Sequence, residues 1–450
     1  MNNVVDLFDQ TVFLGERATG ATNMLQCVWI YNGAINIDGL RQFHHHLQQG
    51  RLSRRIERSP LPFGRHRWVS SAPSELEIVA SPRPREEFDA WLGEQANLPL
   101  DVEEGSGWHL AVLPFTDGGA GVSLVVSHTV ADGMGGCLAI MEAASGYDSA
   151  IDVPAAGARR RWRAVREDAR QTVRDMPAIR RALVAAARSA RQNRAGAGAP
   201  TPPQAPSAGA DETITLPTVT IFIDADEWAA RARALGGTSN SLLAGVAARL
   251  AERAGRVTAD GSVTLGVPVN QRTADDTRAN AVTNVDVTVD ATRARTDLSE
   301  IRSATKQALI HRQQVPDERM ALLPLVPLLP KRLVKRWVNV YTPSPTSVAS
   351  SQLGAAPSIV NRPDGTDADY ISLLSVCPGV TKATVQLSNG MMALISAEVN
   401  GRVFVSILAY QPGRVTSNSE LRHVLSSIMD DFSLTATIGW PTHEPAGRAR

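Results

Sequence analysis

The chain has 450 residues, of which 43% are hydrophobic and 20% are charged. These proportions exclude a disordered scaffold, and the length predicts two or three compact units. Three cysteines without a Cys-x-x-Cys pair argue against a disulfide framework and a thiolate metal site, and they favour a reducing compartment. Since neither a signal-peptide pattern nor an apolar stretch of bilayer length occurs, we expect a cytoplasmic protein.

The segment 1–150 predicts a mixed α/β lobe, because short apolar runs alternate with helical patterns. Its strands are expected at 25–31, 111–114 and 121–127, and its helices at 37–49 and 137–144. The run 121–127 is almost entirely apolar and rich in valine, which is typical of a buried strand. It leads directly to His128, and a glycine-rich segment begins at Gly133. The sequence therefore places His128 on a strand-to-helix turn.

The segment 151–212 combines a basic helix with a linker. Residues 159–194 contain twelve arginines and three acidic residues, a net charge of +9 in a chain whose total is +1. Apolar residues recur there every three or four positions, which predicts an amphipathic helix that Pro177 kinks or ends. The stretch 195–210 is rich in alanine, glycine and proline and predicts a linker. The helix is either a solvated bridge between lobes or a contact for an anionic surface such as phospholipid headgroups.

The segment 213–450 predicts a second α/β lobe. Strands are expected at 218–224, 263–268, 282–289, 383–387, 391–399 and 403–409, the last three joined by turns at Asn389-Gly390 and Asn400-Gly401. Helices are expected at 227–235, 239–254 and 420–432. An apolar, proline-broken run with a basic end occupies 320–337. It is either a core helix or a surface element that rests among lipid headgroups.

The His-x-x-x-Asp-Gly motif from His128 to Gly133 carries the most specific chemical signal. An imidazole can take a proton from a hydroxyl near neutral pH because its ordinary pKa lies there. Asp132 is expected to shape the turn or pair with an arginine, and Gly133 lets the backbone bend and a bulky substrate approach. The alternative is that His128 is a hydrogen-bonded histidine at a strand end and Asp132 is the N-cap of the next helix.

The stretch 125–136 (VVSHTVADGMGG) resembles the active-site motif of the acyl-CoA-dependent acyltransferase superfamily. That superfamily includes chloramphenicol acetyltransferase, the condensation domains of peptide synthetases and the bacterial wax ester synthase/diacylglycerol acyltransferases, and the last group is the most similar. Its motif often begins with two histidines. Here Ser127 occupies the first position and His128 matches the second, which is the base in the family.

Further stretches extend this resemblance over most of the chain. Each keeps part of a family pattern: Asp9-Gln10 with Phe13-Leu14 and Glu16, Pro99-Leu100-Asp101 with Ser106-Gly107-Trp108, Asn240-Ser241 in 238–247, and Ser351-Gln352-Leu353-Gly354. The family usually has Asn-Asp where this chain has Asn240-Ser241, and Ser-Asn where it has Ser351-Gln352.

The resemblance implies two chloramphenicol-acetyltransferase-like lobes of mixed sheets and helices, with His128 in the middle of a tunnel between them. It further implies that an acyl group, a fatty acyl group in particular, passes from a CoA thioester to an alcohol or lipid hydroxyl without a covalent enzyme intermediate. His128 would be the base, with Asp132 and Gly133 beside it and Arg272 a candidate partner of Asp132. The oxyanion donor is sought around Ser351 and Gln352, and Asn240 is a further substrate-binding candidate. No cofactor and no metal are implied.

Two other functions stay open at this stage: a condensation-type enzyme whose acyl donor is a carrier protein, and a non-catalytic relative that binds lipid or carrier. Metal binding by 44–46 is not expected, since three consecutive helical histidines point about 100° apart. The sequence has no Gly-x-Ser-x-Gly elbow, P-loop or dinucleotide fingerprint. The basic helix has only Trp162 as an aromatic residue, which argues against nucleic acid as its partner.

Overall fold

The computed structural model describes residues 3–147, 151–196, 212–315, 317–334 and 347–441. Mixed β-sheets are covered by helices, as the sequence predicts. The strands are β1 Met24–Tyr31, β2 Arg54–Glu57, β3 Arg67–Ser70, β4 Leu76–Ile78, β5 Trp108–Pro114, β6 Ala120–Ser127, β7 Thr218–Asp224, β8 Ser262–Asn270, β9 Val282–Asp290, β10 Val348–Ala355, β11 Tyr370–Val376, β12 Met391–Val399, β13 Arg402–Tyr410 and β14 Ala436–Ile438. The α-helices are α1 Leu7–Thr19, α2 Ile37–Gln49, α3 Phe88–Ala96, α4 Gly133–Ala144, α5 Arg161–Gly196, α6 Ala225–Ala234, α7 Ser239–Arg253, α8 Ser299–Gln314, α9 Glu318–Leu322, α10 Lys382–Leu387 and α11 Asn418–Asp431.

The first sheet has the strand order β11-β1-β6-β5-β4. Its centre is β6, whose eight residues are all buried, as an apolar run flanked by two strands requires. The edge strand β11 comes from the predicted second lobe and pairs antiparallel with β1. The two halves of the chain therefore share one sheet, which ties the second lobe to the strand beside the motif.

The second sheet has the order β14-β7-β13-β12-β10-β8-β9. At its edge, β9 alternates buried and half-buried or exposed side chains, which matches the period-two pattern of its sequence. The helix α7 packs under this sheet, and its residues Ser241–Ala251 are all buried. The tight turn at Asn400-Gly401 joins β12 to β13 as predicted, with both residues at positive φ.

One local prediction is wrong, and a second is wrong in part. The expected strand at 383–387 is the short helix α10, because Thr381 accepts a hydrogen bond from the Thr384 N–H and caps a turn that buries Val385. Pro177 does not end the helix, since α5 continues from Arg161 through Gly196, and a kink at Pro177 stays a prediction.

The two sheets meet across an apolar seam. Phe222, Ile395 and Phe404 of the second sheet join the core of the first lobe, where Trp29 and Trp108 are almost fully buried. Such a seam fixes the relative position of the loops that emerge beside it.

The linker expected at 195–210 falls mostly outside the described residues, and so do Lys335 and Arg336, at the basic end of the apolar run 320–337. Among the helices described, none is both long enough and apolar enough to cross a membrane.

Candidate active site

His128 lies at the end of β6, on the seam between the sheets. Its N–H donates to the main-chain oxygen of Asn23 (2.9 Å), just before β1, and Val130 N–H closes the turn onto Ser127 O (2.9 Å). Ser127, which replaces the first histidine of the family motif, accepts the Thr129 N–H through its hydroxyl (3.2 Å). The turn is thus fixed by main-chain contacts, and the half-buried His128 projects from it.

Burial lowers the pKa of His128 below its ordinary value of 6.5. The negative charge of Asp132, a hydrogen bond between the imidazole and the main chain of His128 itself, and the Asn280 side chain oppose this lowering without reversing it. The hydrogen bonds of the ring to its own main chain and to the Asn280 side chain also orient it. A neutral, oriented imidazole at neutral pH is the form that a general base needs.

Asp132 joins the two lobes through a buried ion pair. Its carboxylate accepts hydrogen bonds from Arg272 Nη2 at 3.1 Å to each oxygen and from Ala281 N–H at 2.7 Å, both residues of the second lobe. It also caps α4 by accepting the Gly135 N–H at 2.6 Å. The expected pairing with Arg272 and the N-cap role are both present. The Asp132 side chain is therefore engaged by structural contacts on all sides.

The glycines of the motif have different surroundings. A Cβ on Gly135 would lie 3.1 Å from Asp132 Oδ1 and 3.2 Å from Arg272 Nη2, so a side chain there would crowd the ion pair. A Cβ on Gly133 would meet only Leu353, at 3.5 Å. Gly133 therefore lies at an ordinary contact distance from β10 of the second lobe. It is also the first residue of α4, where N–H groups have no partner within the helix.

A second buried contact between the lobes was missed from the sequence. The Asp9 carboxylate accepts the main-chain N–H groups of Ala279 and Asn280 and the Asn280 side-chain amide at 2.8 to 3.0 Å. Asn280 Nδ2 also donates to the main-chain oxygen of His128 at 3.0 Å. Asp9 belongs to the opening segment of the family resemblance, but nothing in the sequence links it with Asn280, which is 271 residues away.

Glu16 holds the other side of the turn. Its carboxylate accepts the Thr129 hydroxyl at 2.8 Å and the Asn23 N–H at 3.3 Å. Burial raises the pKa of Glu16 to about 7, against the effect of these two bonds. Asn23 in turn accepts the His128 N–H, so α1 positions the motif through one short chain of contacts.

The predicted substrate-binding residues Ser351 and Gln352 lie on opposite faces of β10. Ser351 is opposite Ile395, which packs in the core of the first lobe, whereas Gln352 is opposite Ser396 on the face that α7 covers. Gln352 Oε1 and the hydroxyl oxygens of Ser350 and Ser396 are buried there without a hydrogen-bond partner among the described residues. Side-chain alternation thus brings Ser351 to the face of the motif and turns Gln352 away from it.

Asn240 is not brought to the motif. It lies in the first turn of α7, next to Gly237, which packs against Leu298. Leu298 comes eight residues after the C-terminal end of β9, whereas Ala281 directly precedes its N-terminal end and donates its N–H to Asp132. The nine residues of β9 separate these ends by about 26 Å.

The side chains of the histidines 44–46 point in different directions: the ring of His44 contacts Ser74, and that of His46 contacts the main-chain oxygen of Ala143.

A cavity of about 140 Å³ lies on the same seam, between α3 and the start of β7. Its lining includes Leu92, Leu216 and Cys377, and no residue of the motif. Cys377 contacts the Asn23 side chain, and Asn23 is the residue that accepts the His128 N–H. One residue of the cavity lining, Cys377, is thus linked to the turn of His128 through Asn23.

No protein-family model and no curated protein matches the sequence. Solved structures do match it over nearly its whole length. The first condensation domain of the calcium-dependent antibiotic synthetase, in complex with a substrate analogue, is 14% identical, with 96% of each chain covered and a TM-score of 0.58. Polyketide synthase associated protein 5 from Mycobacterium tuberculosis is 15% identical, covering 93% of this chain and 97% of that chain, with a TM-score of 0.55.

The wax ester synthase/diacylglycerol acyltransferase from Marinobacter aquaeolei VT8 is 14% identical, covering 96% of this chain and 98% of that chain, with a TM-score of 0.53. Identities of this size establish a common fold and no more. The chain therefore has the two-lobed, chloramphenicol-acetyltransferase-like fold of condensation domains and of this wax ester synthase, with His128 on the seam between its lobes.

Proposed function

We propose that the chain is an acyltransferase that moves an acyl group, a fatty acyl group in particular, from a CoA thioester to an acceptor hydroxyl. The observation that carries the proposal is the half-buried His128, whose main chain is held by Asn23 of the first lobe and Asn280 of the second, and whose pKa is lowered by burial. Proteins named as a wax ester synthase/diacylglycerol acyltransferase and as condensation domains share the fold, which supports this class of chemistry.

The proposed reaction is a direct transfer. The acceptor hydroxyl gives its proton to Nε2 of His128 while its oxygen attacks the thioester carbonyl. The tetrahedral intermediate then collapses, the C–S bond breaks, and the imidazolium returns the proton to the departing thiolate. The products are an ester and a free thiol, and His128 is again neutral.

The oxyanion of the intermediate needs fixed donors, which contribute several kcal/mol in many enzymes. We assign this role to the Ser351 hydroxyl, which lies on the face of β10 that packs toward the first lobe. The N–H groups of Gly133 and Met134, the first two residues of α4, are the second candidate, because a helix N-terminus favours negative charge. Gly133 also leaves open the space toward Leu353.

The test is thiol release from a panel of acyl-CoA thioesters, with and without alcohols. His128→Ala should lower transfer at least on the order of 10²-fold while the melting temperature and acyl-CoA binding are retained. The matched control is His45→Ala, an exposed histidine that contacts Gln49. Full turnover by the His128 variant would refute the mechanism.

The donor is tested separately, since condensation domains share the fold. Transfer from an acyl carrier protein and none from acyl-CoA would replace the CoA donor by a carrier-dependent one. Binding of either donor without any thiol release would instead show a non-catalytic lipid- or carrier-binding protein.

A further inference from the structure

The helix α5 packs on the protein along one narrow face. That face contains Ala164, Asp168, Ile179 and Ala182, each less than a tenth exposed. Asp168 pairs with Arg67 at 2.9 Å and Arg159 at 3.0 Å, which fixes the N-terminal end of the helix on the first lobe. The other described side chains of α5 are half-buried or exposed, and the helix, at 36 residues, is about 54 Å long.

An apolar stripe runs along the solvent side of α5. Its side chains are strongly exposed, with Val173 at 69%, Trp162 at 63% and Leu183 at 55%. Val165 and Met176 fill the stripe at the intervening turns, also exposed. Spacings of three, seven and eight residues put all of these on one side of a helix. An exposed apolar stripe of this size indicates a binding surface.

An arginine row lies beside the stripe. Arg166, Arg170, Arg174, Arg181 and Arg188 follow each other at intervals of four and seven residues, and all are exposed. None of these five pairs with a carboxylate within the described part of the chain. The row therefore presents its positive charge to solvent directly next to apolar side chains.

A distant segment extends the same surface. Leu325, in the stretch Leu323–Leu328, packs with Ile179 and Ala182 of α5 in one small core. Beyond it, Leu328 and Leu333 are about two-fifths exposed, and Lys331 and Arg332 are exposed beside them. The segment thus supplies both buried and surface residues, and the structure places it next to the basic helix.

Phe63 completes this surface. Its side chain is 43% exposed, and it lines one small cleft together with Thr172 of α5 and Leu328. Three parts of the chain that are far apart in sequence therefore form one surface of exposed apolar side chains and of cations that have no carboxylate partner among the described residues. We call it the basic face, made of the solvent side of α5, Phe63 and 328–333.

We infer that the basic face binds an anionic lipid surface. The apolar stripe would enter the boundary between headgroups and acyl chains, and the arginine row would contact lipid phosphates, as in helices that lie in the plane of a membrane. Charge selects this partner. A second copy of the chain would set one arginine row against another, and a nucleic acid would leave the apolar stripe without a partner.

The experiment is co-sedimentation of the full chain with vesicles of neutral phosphatidylcholine, or of phosphatidylcholine with phosphatidylglycerol, at low and high salt. We expect binding to the anionic vesicles that weakens with salt. The variant R166Q/R170Q/R174Q should lower the partition constant on the order of 10²-fold, at about 1 kcal/mol per basic residue removed. The variant V173D/L183D should lower it at both salt concentrations, because it removes apolar insertion.

The matched control is R233Q/R295Q/R302Q, three exposed arginines of the second lobe, which should bind as the unaltered chain does. All changed side chains are exposed, so melting temperatures should agree. Equal binding to neutral and anionic vesicles, or unchanged binding by either α5 variant, would overturn the inference. So would dimer formation, or a preference for duplex DNA over vesicles. The readout requires no turnover, so it is independent of the proposed acyl transfer.

Discussion

Asp132→Asn tests whether this carboxylate holds the lobes together or takes part in the chemistry. The residue is only 5% exposed and accepts hydrogen bonds from Arg272, Ala281 and Gly135. An asparagine offers one acceptor oxygen in place of two. Its NH2 group, which is a donor, would replace the other oxygen and face the N–H groups that now donate to it. Arg272 would lose its counter-charge but keep its bonds to the main-chain oxygens of 276, 278 and 279.

The expected loss in the free energy of unfolding is about 3 kcal/mol, the lower end for breaking a buried ion pair, because Arg272 keeps those partners. If the free energy of unfolding falls by about 3 kcal/mol per molar urea, this loss should lower the urea midpoint by about 1 M. Asp38→Asn is the control, since it breaks an exposed pair with Arg41 and should cost less than about 1 kcal/mol.

The assay is urea unfolding followed by circular dichroism, together with a pH–rate profile for each variant. We expect a lower midpoint and a lower rate for Asp132→Asn, with the acidic limb moved to lower pH, because the Asp132 charge raises the pKa of His128. An unchanged urea midpoint with a lowered rate would refute the structural role and make Asp132 a direct participant.

Four further outcomes follow from the same geometry. Because burial lowers the pKa of His128, kcat/KM should fall in acid with a midpoint below 6.5, and a midpoint well above that value would exclude His128 as the titrating base. Gly133→Ala meets only Leu353 at 3.5 Å, so stability should hold while kcat/KM falls about tenfold as the methyl group enters substrate space; an unchanged rate would place the substrate elsewhere. Asn280→Ala should lower kcat/KM by up to about 10²-fold by freeing the His128 main chain, whereas exposed Asn284→Ala should have no effect. Between pH 4.5 and 7 the folded chain binds more protons at Glu16 than the unfolded chain, so this carboxyl adds stability as the pH falls. Glu16→Gln should therefore gain stability relative to the unaltered chain as the pH rises through that window, and a constant difference in urea midpoint would contradict the raised pKa.

The sequence predicted the elements that have a strong local cause. The strand β6 is encoded by an unbroken apolar run, and β9 by alternation of apolar and polar residues. The turn at Asn400-Gly401 is encoded by two residues that tolerate positive φ. The same signal at Asn389-Gly390 follows a helix instead, because these residues also end helices well and Thr381 caps α10 upstream.

The candidate site was predicted only in part. His128 and Asp132 lie close together because they are only four positions apart in the chain, and the motif could be recognised from the sequence alone. Asn240 was carried over by resemblance alone, and it lies at the far end of β9 from the motif. Gln352 was assigned with Ser351, but a one-residue step along a strand reverses the face, so only Ser351 lies toward the motif.

By itself, the sequence determined the strand-to-helix turn that carries His128 and the amphipathic basic helix, since each depends on residues within a few turns of one another. Only the tertiary structure decided that β11 joins the first sheet, that Asp9 and Asn280 hold the main chain of His128, and that residues 328–333 lie beside α5. These contacts join residues far apart in the chain. They depend on which apolar faces pack together, which local periodicity does not specify.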